Sequence, residues 1–200
     1  MNILLATSNT HKKEEFARIL TEHTIVLPSE LNLSFDFEEN AETFTENALG
    51  KALSLSKVVP KGYAVLADDS GLCVDALGGN PGVRTARYGM EEFGHLLEAG
   101  PRNEYLLKNL KAFTRKEERK ASFVCALALV VDTHRIYTIE ESVEGYITEE
   151  ADGRGGFGYD PVFFVEEAGS TMAALDNGKK DLYSHRGRAT RLLNTLLGEI

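Results

Sequence analysis

Asp68 and Asp69 follow the apolar run Ala64–Ala67 and precede Ser70-Gly71. Read as the end of a strand, this places two carboxylates where α/β proteins bind ligands. Adjacent carboxylates repel each other, and a divalent cation relieves that repulsion. One or two carboxylates completed by substrate phosphates suit Mg²⁺, whereas a capped turn is the simpler alternative. A second acidic group, Asp36, Glu38, Glu39, Glu42 and Glu46, crowds the start of a predicted helix, where negative charge favours the helix dipole.

Cations sit where the dipole disfavours them. One predicted helix opens Ser8-Asn9-Thr10 and then His11-Lys12-Lys13; the last opens Ser184 and then His185-Arg186-Gly187-Arg188. A cation in a first turn costs some tenths of a kcal/mol. A bound phosphate reverses that sign by taking backbone N–H groups and cations together; a solvated surface is the other reading. Lys51 falls inside the apolar stripe Phe44, Ala48, Ala52, Leu55 and Val58. It either snorkels to water or reaches an anion. Finally, Gly155-Gly156-Phe157-Gly158-Tyr159-Asp160-Pro161 lets backbone approach a ligand, with Phe157 and Tyr159 able to stack on a flat ring or to pack in the core. It is neither a P-loop nor a Rossmann fingerprint. Phosphate contacts, a Mg²⁺ site and a stacking loop together suggest a nucleoside triphosphate.

The elements expected to position these residues mix strands and helices in both orders. Strands are predicted over 2–6, 25–27, 63–67, 72–76, 121–132, 135–148 and 161–165. Helices are predicted over 9–20, 43–59, 91–99, 102–113 and 184–197, and residues 31–40 read as irregular. The long pair around Asp132-Thr133-His134 reads as antiparallel, which gives an α/β fold with a mixed sheet. The 200 residues fit a single domain that buries roughly 70% of its unfolded surface without disulfides or structural metal. Cys73 and Cys125 have no zinc-like spacing and read as two buried free thiols. A net charge of −9 argues against tracking along DNA or RNA. No apolar run spans a bilayer and no leader pattern opens the chain, so a cytoplasmic protein without membrane partners is expected.

Thr7-Ser8-Asn9-Thr10-His11-Lys12, Ala67-Asp68-Asp69-Ser70-Gly71-Leu72, Ala76-Leu77-Gly78-Gly79, Gly156-Phe157-Gly158-Tyr159-Asp160-Pro161 and Ser184-His185-Arg186 occur in this order from residue 7 onward. In these motifs the chain resembles the inosine/xanthosine triphosphate pyrophosphatase family, house-cleaning enzymes that remove deaminated purine nucleotides. The resemblance implies Mg²⁺-dependent hydrolysis of ITP, dITP and XTP to the monophosphate and pyrophosphate by a homodimer. It implies an elongated mixed sheet flanked by helices, in two lobes with a central cleft. By position, Thr7, Ser8, Asn9, Thr10, His11 and Lys12 would hold the triphosphate. Glu39 and Asp69 would bind Mg²⁺, with Asp69 also the proton acceptor. Ser70 would contact substrate, and Phe157, Gly158, Tyr159 and Asp160 the base. Lys180, His185 and Arg186 would complete the pocket, and Lys51 matches a lysine that contacts phosphate in some members. The rivals are a pyrophosphatase for modified pyrimidine or methylated nucleotides and a non-catalytic nucleotide sensor; the Glu39/Asp69 pair favours turnover. An RNA-binding module conflicts with the charge.

Overall fold

The computed structural model describes residues 1–200, which divide into two compact units. The first comprises residues 1–70, 125–141 and 186–200, the second residues 71–124 and 142–185. Seven strands form one sheet: β1 (Asn2–Leu5), β2 (Thr24–Val26), β3 (Tyr63–Val74), β4 (Lys120–Val130), β5 (Ile136–Ile147), β6 (Phe163–Val165) and β7 (Ser170–Thr171), in the order β2-β1-β3-β4-β5-β6-β7. β1 pairs in parallel with both β2 and β3, while β6 is antiparallel to β5 and β7. The mixed sheet flanked by helices agrees with the sequence reading. β4 and β5 are joined by only five residues, a connection short enough for an antiparallel pair alone. Asp132 closes that turn by accepting the N–H groups of His134 and Arg135 at 2.9 and 3.0 Å.

In the first unit, β1 is the apolar run the sequence suggested, with Ile3, Leu4 and Leu5 fully buried, as a strand flanked on both sides requires. α1 (Thr10–Ile19) begins at Asn9, whose Oδ1 accepts from His11 N and Lys12 N at 2.9 and 3.4 Å. Thr7 Oγ1 in turn accepts the Asn9 N–H, so the segment entering the helix is held by its own side chains. α2 (Phe44–Ser56) opens on Thr43, which accepts from Glu46 N at 3.1 Å. It buries Phe44, Asn47, Ala48, Lys51, Ala52 and Leu55 on one face. The helix ends three residues earlier than the sequence reading, and Val58 is 54% exposed rather than part of the stripe. α6 (His185–Leu197) contributes Ala189, Leu193 and Leu197 to the core around Phe16, Leu66 and Leu127.

The second unit packs Leu72, Val74, Leu106, Phe123, Phe163 and Val165. Its helices are α3 (Met90–Phe93), α4 (Ala99–Asn109) and α5 (Asn177–Tyr183). The helix expected over 91–99 stops early because Gly94 takes a left-handed conformation, φ +73°, that closes α3. α5 and β7 escape the sequence reading because both are short and polar. The largest difference is β3. It was expected to break at Asp68, yet it runs twelve residues through the aspartate pair. The physical reason lies in what surrounds Asp68.

Candidate active site

Alternation along β3 sends Asp68 and Asp69 to opposite faces of the sheet. Asp68 is fully buried, and cations converge on its Oδ2. Lys12 Nζ lies 3.0 Å away, and Arg186 donates from Nε and Nη2 at 3.2 and 3.0 Å. Arg186 also donates from Nη1 to Glu15 Oε2 at 2.6 Å and from Nη2 to Ser70 Oγ at 2.7 Å. Burial alone would raise the Asp68 carboxyl, but Lys12, Arg186 and Lys51 together outweigh it and hold the group well below the usual carboxylate range. That compensation lets a strand carry a charge through its interior.

Asp69 behaves oppositely. Its carboxyl is pushed up to about 6, first by burial and then by the negative charge of Glu39, against weaker pulls from Lys51 and Lys12. Ser70 N–H donates to its Oδ1 at 3.1 Å. Lys51, on the buried stripe of α2, pairs with Glu39 and donates to the backbone carbonyl of Asp68 at 2.9 Å. It is 6% exposed, so it reaches anions inside the protein rather than snorkelling to water. Three cations (Lys12, Lys51, Arg186) therefore face four carboxylates (Glu15, Glu39, Asp68, Asp69), one negative charge in excess.

The residues fit a hard divalent cation. Asp69 Oδ2 is a buried acceptor without a well-formed hydrogen bond, on the side of the strand that faces Glu39, and both groups offer oxygen ligands. No three His, Cys, Asp or Glu side chains form a ready-made metal cage, so water or phosphate oxygens would have to complete the coordination. Beside this cluster lies a pocket of about 300 Å³ whose lining includes Thr7, Ser8, Asp36, Phe37, Glu39 and Lys51. Thr7, Ser8, Asn9, Lys12, Glu39, Lys51, Asp69 and Ser70 are thus brought into one unit. Thr10 and His11 are exposed on the first turn of α1, with His11 Nδ1 3.8 Å from Glu14.

The remaining expected residues belong to the second unit, except Arg186. Lys180 Nζ donates to Asp160 Oδ2 at 2.8 Å, and the same oxygen accepts the Phe157 N–H at 2.8 Å. Gly156, at φ +70°, leaves room for this arrangement, since a Cβ there would run into the Asp160 carboxylate. Lys180 Nζ lies 5.0 Å from the centre of the half-buried Phe157 ring. Gly158 O accepts from Asn103 Nδ2 at 3.1 Å. Tyr159 departs from the stacking role. It is 2% exposed in the core, its hydroxyl donating to Thr85 O at 3.0 Å, and burial pushes its phenol upward. Its aromatic bulk is better used in packing than at an open ring face. His185 is buried and stacked on Phe123, with ring centres 4.7 Å apart. Arg186 was expected to serve the pocket, but three of its guanidinium nitrogens donate to Glu15, Asp68 and Ser70 in the first unit.

Two members of the cluster were not singled out from sequence. Glu15 follows Lys12 by one turn and sits on the buried face of α1, and Asn47 precedes Lys51 by one turn of α2. In both cases the signal was a polar residue at a core position of the helical period.

The fold and the site define a mixed α/β protein with an oxygen-ligand, lysine-flanked centre suited to a cation and an anionic ligand. The comparisons with known proteins narrow this. The family model described as the Ham1 family matches residues 3–196, and the chain belongs to that family. A protein of Treponema denticola named dITP/XTP pyrophosphatase is 47% identical over 190 residues, 94% of each chain. One of the same name from Bacillus subtilis is 42% identical over 196 residues, 97% of this chain and 96% of that one. Among solved structures, a HAM1 protein from Coxiella burnetii matches with a TM-score of 0.86 and 36% identity, and the Ham1 protein of Staphylococcus aureus with 0.84 and 37%. Each alignment covers both chains completely.

Proposed function

We propose that this chain hydrolyses deaminated purine nucleoside triphosphates, ITP, dITP and XTP, to the nucleoside monophosphate and pyrophosphate. The observation that carries this reading is Asp69. It is a buried carboxylate with one oxygen lacking a donor, set among Glu39, Lys51 and Lys12 in a chain whose relatives bear the name dITP/XTP pyrophosphatase. Glu39 and Asp69 are the residues we assign to Mg²⁺. Once bound, the ion neutralises charge on the phosphate oxygens and makes water more acidic. Lys12 holds the triphosphate through its charge, together with the hydroxyls and backbone of the segment Thr7–Thr10, since the His11 and Lys12 amides are already given to Asn9 Oδ1. Lys51 keeps Glu39 oriented and adds positive charge beside the phosphates. Asp69 takes the proton of the attacking water, for which it must be ionised.

In the second unit, Phe157 is assigned to stack on the base, with Gly158, Lys180 and His185 reading its edge. A donor facing the purine 6-oxygen favours hypoxanthine and xanthine, whereas adenine presents an amino group to that donor. Two amides of the loop are already engaged internally: Phe157 N–H with Asp160 Oδ2, and Asp160 N–H with Phe157 O at 3.2 Å. Discrimination therefore falls to the rest of the loop and to Lys180 and His185, while Arg186 acts by fixing Asp68 and Ser70. A homodimer and a cytoplasmic setting are part of the same proposal on the strength of the family resemblance. No helix is long and apolar enough to cross a membrane.

Pyrophosphate release from ITP, dITP, XTP, dTTP and ATP, with and without Mg²⁺, tests the reading. Release from the first three, dependent on the metal, is the expected result. Equal rates with ATP or a preference for dTTP would replace the substrate class. Binding without release would make the protein a sensor. Sedimentation of the purified chain tests the dimer.

A further inference from the structure

α2 places two polar side chains, one turn apart, on its buried face. Lys51 is accounted for by Glu39 and the Asp68 carbonyl. Asn47, 1% exposed, so far has no task. Its Oδ1 accepts the N–H of Ala41 at 3.0 Å, and Ala41 lies two residues beyond Glu39. Its Nδ2 is a buried donor with no acceptor, and Asp69 Oδ2 is a buried acceptor with no donor. The Asn47 side chain reaches the Asp69 carboxyl as a loose hydrogen-bond partner, short of the geometry that would satisfy either atom. Leaving both atoms unsatisfied inside a protein is costly unless the space they face is used.

We propose that Asn47 is a positioning residue with two separate tasks: its oxygen ties the segment bearing Glu39 to α2, and its nitrogen holds a donor toward Asp69 Oδ2. The two groups assigned to the cation are then set relative to one helix by the two ends of a single carboxamide. A carboxylate has two oxygens and rotates about its Cβ–Cγ bond. The Ser70 N–H fixes Oδ1, and the Asn47 amide fixes the side from which Oδ2 is approached. Such outer contacts are known to change metal affinity or activity by roughly 10- to 100-fold. The inference rests on the assignment of Glu39 and Asp69 made above.

Two substitutions separate the tasks. Asn47→Asp keeps an acceptor for the Ala41 N–H but removes the donor, whereas Asn47→Leu removes both at similar volume. In substrate-free protein, hydrogen exchange at the Ala41 amide should stay slow in Asn47→Asp and become fast in Asn47→Leu. Mn²⁺ affinity of the substrate-free protein should fall roughly 10-fold or more in Asn47→Leu. With substrate, kcat of Asn47→Asp should fall roughly 10- to 100-fold. In an Asp69→Asn background the same change should cost less than about twofold, because the carboxylate it orients is gone. Multiplying losses in the double variant, or wild-type kcat in Asn47→Asp, would overturn the proposal. So would unchanged Ala41 exchange in Asn47→Leu. If Asn47→Leu fails to fold, Asn47→Asp and the double variant decide. Should Asp69→Asn alone retain full activity, the assignment of Asp69 fails instead, and the Ala41 exchange still reports on the tether.

Discussion

Two neighbouring aspartates on one strand should answer the same substitution with opposite sign. In metal-free protein the Asp69 carboxyl stands at about 6 against an ordinary 3.8. The folded state therefore holds the proton more tightly than the unfolded chain does. The stability tied to this group is fully present below about pH 4 and is lost as pH rises through about 6. A displacement of about two pH units at 1.36 kcal/mol each corresponds to roughly 3 kcal/mol at neutral pH. Asp69→Asn removes the charge and keeps the shape. At about pH 7.5, in a chelator, it should stabilise the protein by up to about 3 kcal/mol, or roughly 6–12 °C in Tm for a chain of this size. That gain should shrink below about pH 6 and vanish near pH 4. Asp68 has the reverse linkage. Its carboxyl lies below its ordinary value of 3.8, so its stabilisation is present above about pH 4 and is lost as pH falls through the folded value. Asp68→Asn removes the buried carboxylate that Lys12 and Arg186 share, leaving two cations with Glu15 alone close by, and should cost about 3–5 kcal/mol at neutral pH. Guanidinium unfolding of the wild type and both variants from about pH 4 to 8 measures this directly. Saturating Mg²⁺ should raise the wild type toward or past Asp69→Asn by mass action. Loss of stability in Asp69→Asn at neutral pH, a gain that ignores pH, or the same sign for both variants would refute the reasoning.

Lys180→Ala should lower stability by about 3–5 kcal/mol, since it strands the buried Asp160 carboxylate; thermal unfolding checks this, and Lys180→Ala/Asp160→Asn should recover part of the loss. Read from sequence as a pocket residue, Lys180 is expected on removal to weaken triphosphate binding far more than folding; its burial against Asp160 joins the two effects. Gly156→Ala forces a side chain into a left-handed backbone position and against the Asp160 carboxylate, and should cost roughly 1–3 kcal/mol together with a raised KM for ITP. Burial pushes the Cys125 thiol up to about 12, so alkylation at about pH 8 should leave it unlabelled until the protein is unfolded, as read by mass spectrometry.

Local signals along the chain were sufficient for much of the fold. The apolar run at Ile3–Leu5 is a buried strand, Asn9 and Thr43 cap the helices they precede, and Asp132 closes the turn between two long strands. The anomalous lysine in the α2 stripe was legible for the same reason, because a helical period fixes which positions face inward. The break expected at Asp68-Asp69 was wrong because the sequence supplies two acids in a row but not their surroundings. The partners that make Asp68 tolerable inside β3 lie far away in the chain, Arg186 being 118 residues distant. Composition and spacing determined which charges exist and which helical faces turn inward. Only the tertiary structure decided that one aspartate is neutralised by three cations while its neighbour is left beside Glu39. The energy of a buried charge depends on the water it loses and on the charges folding brings within a few ångströms, and neither is a property of the residue or its sequence neighbours.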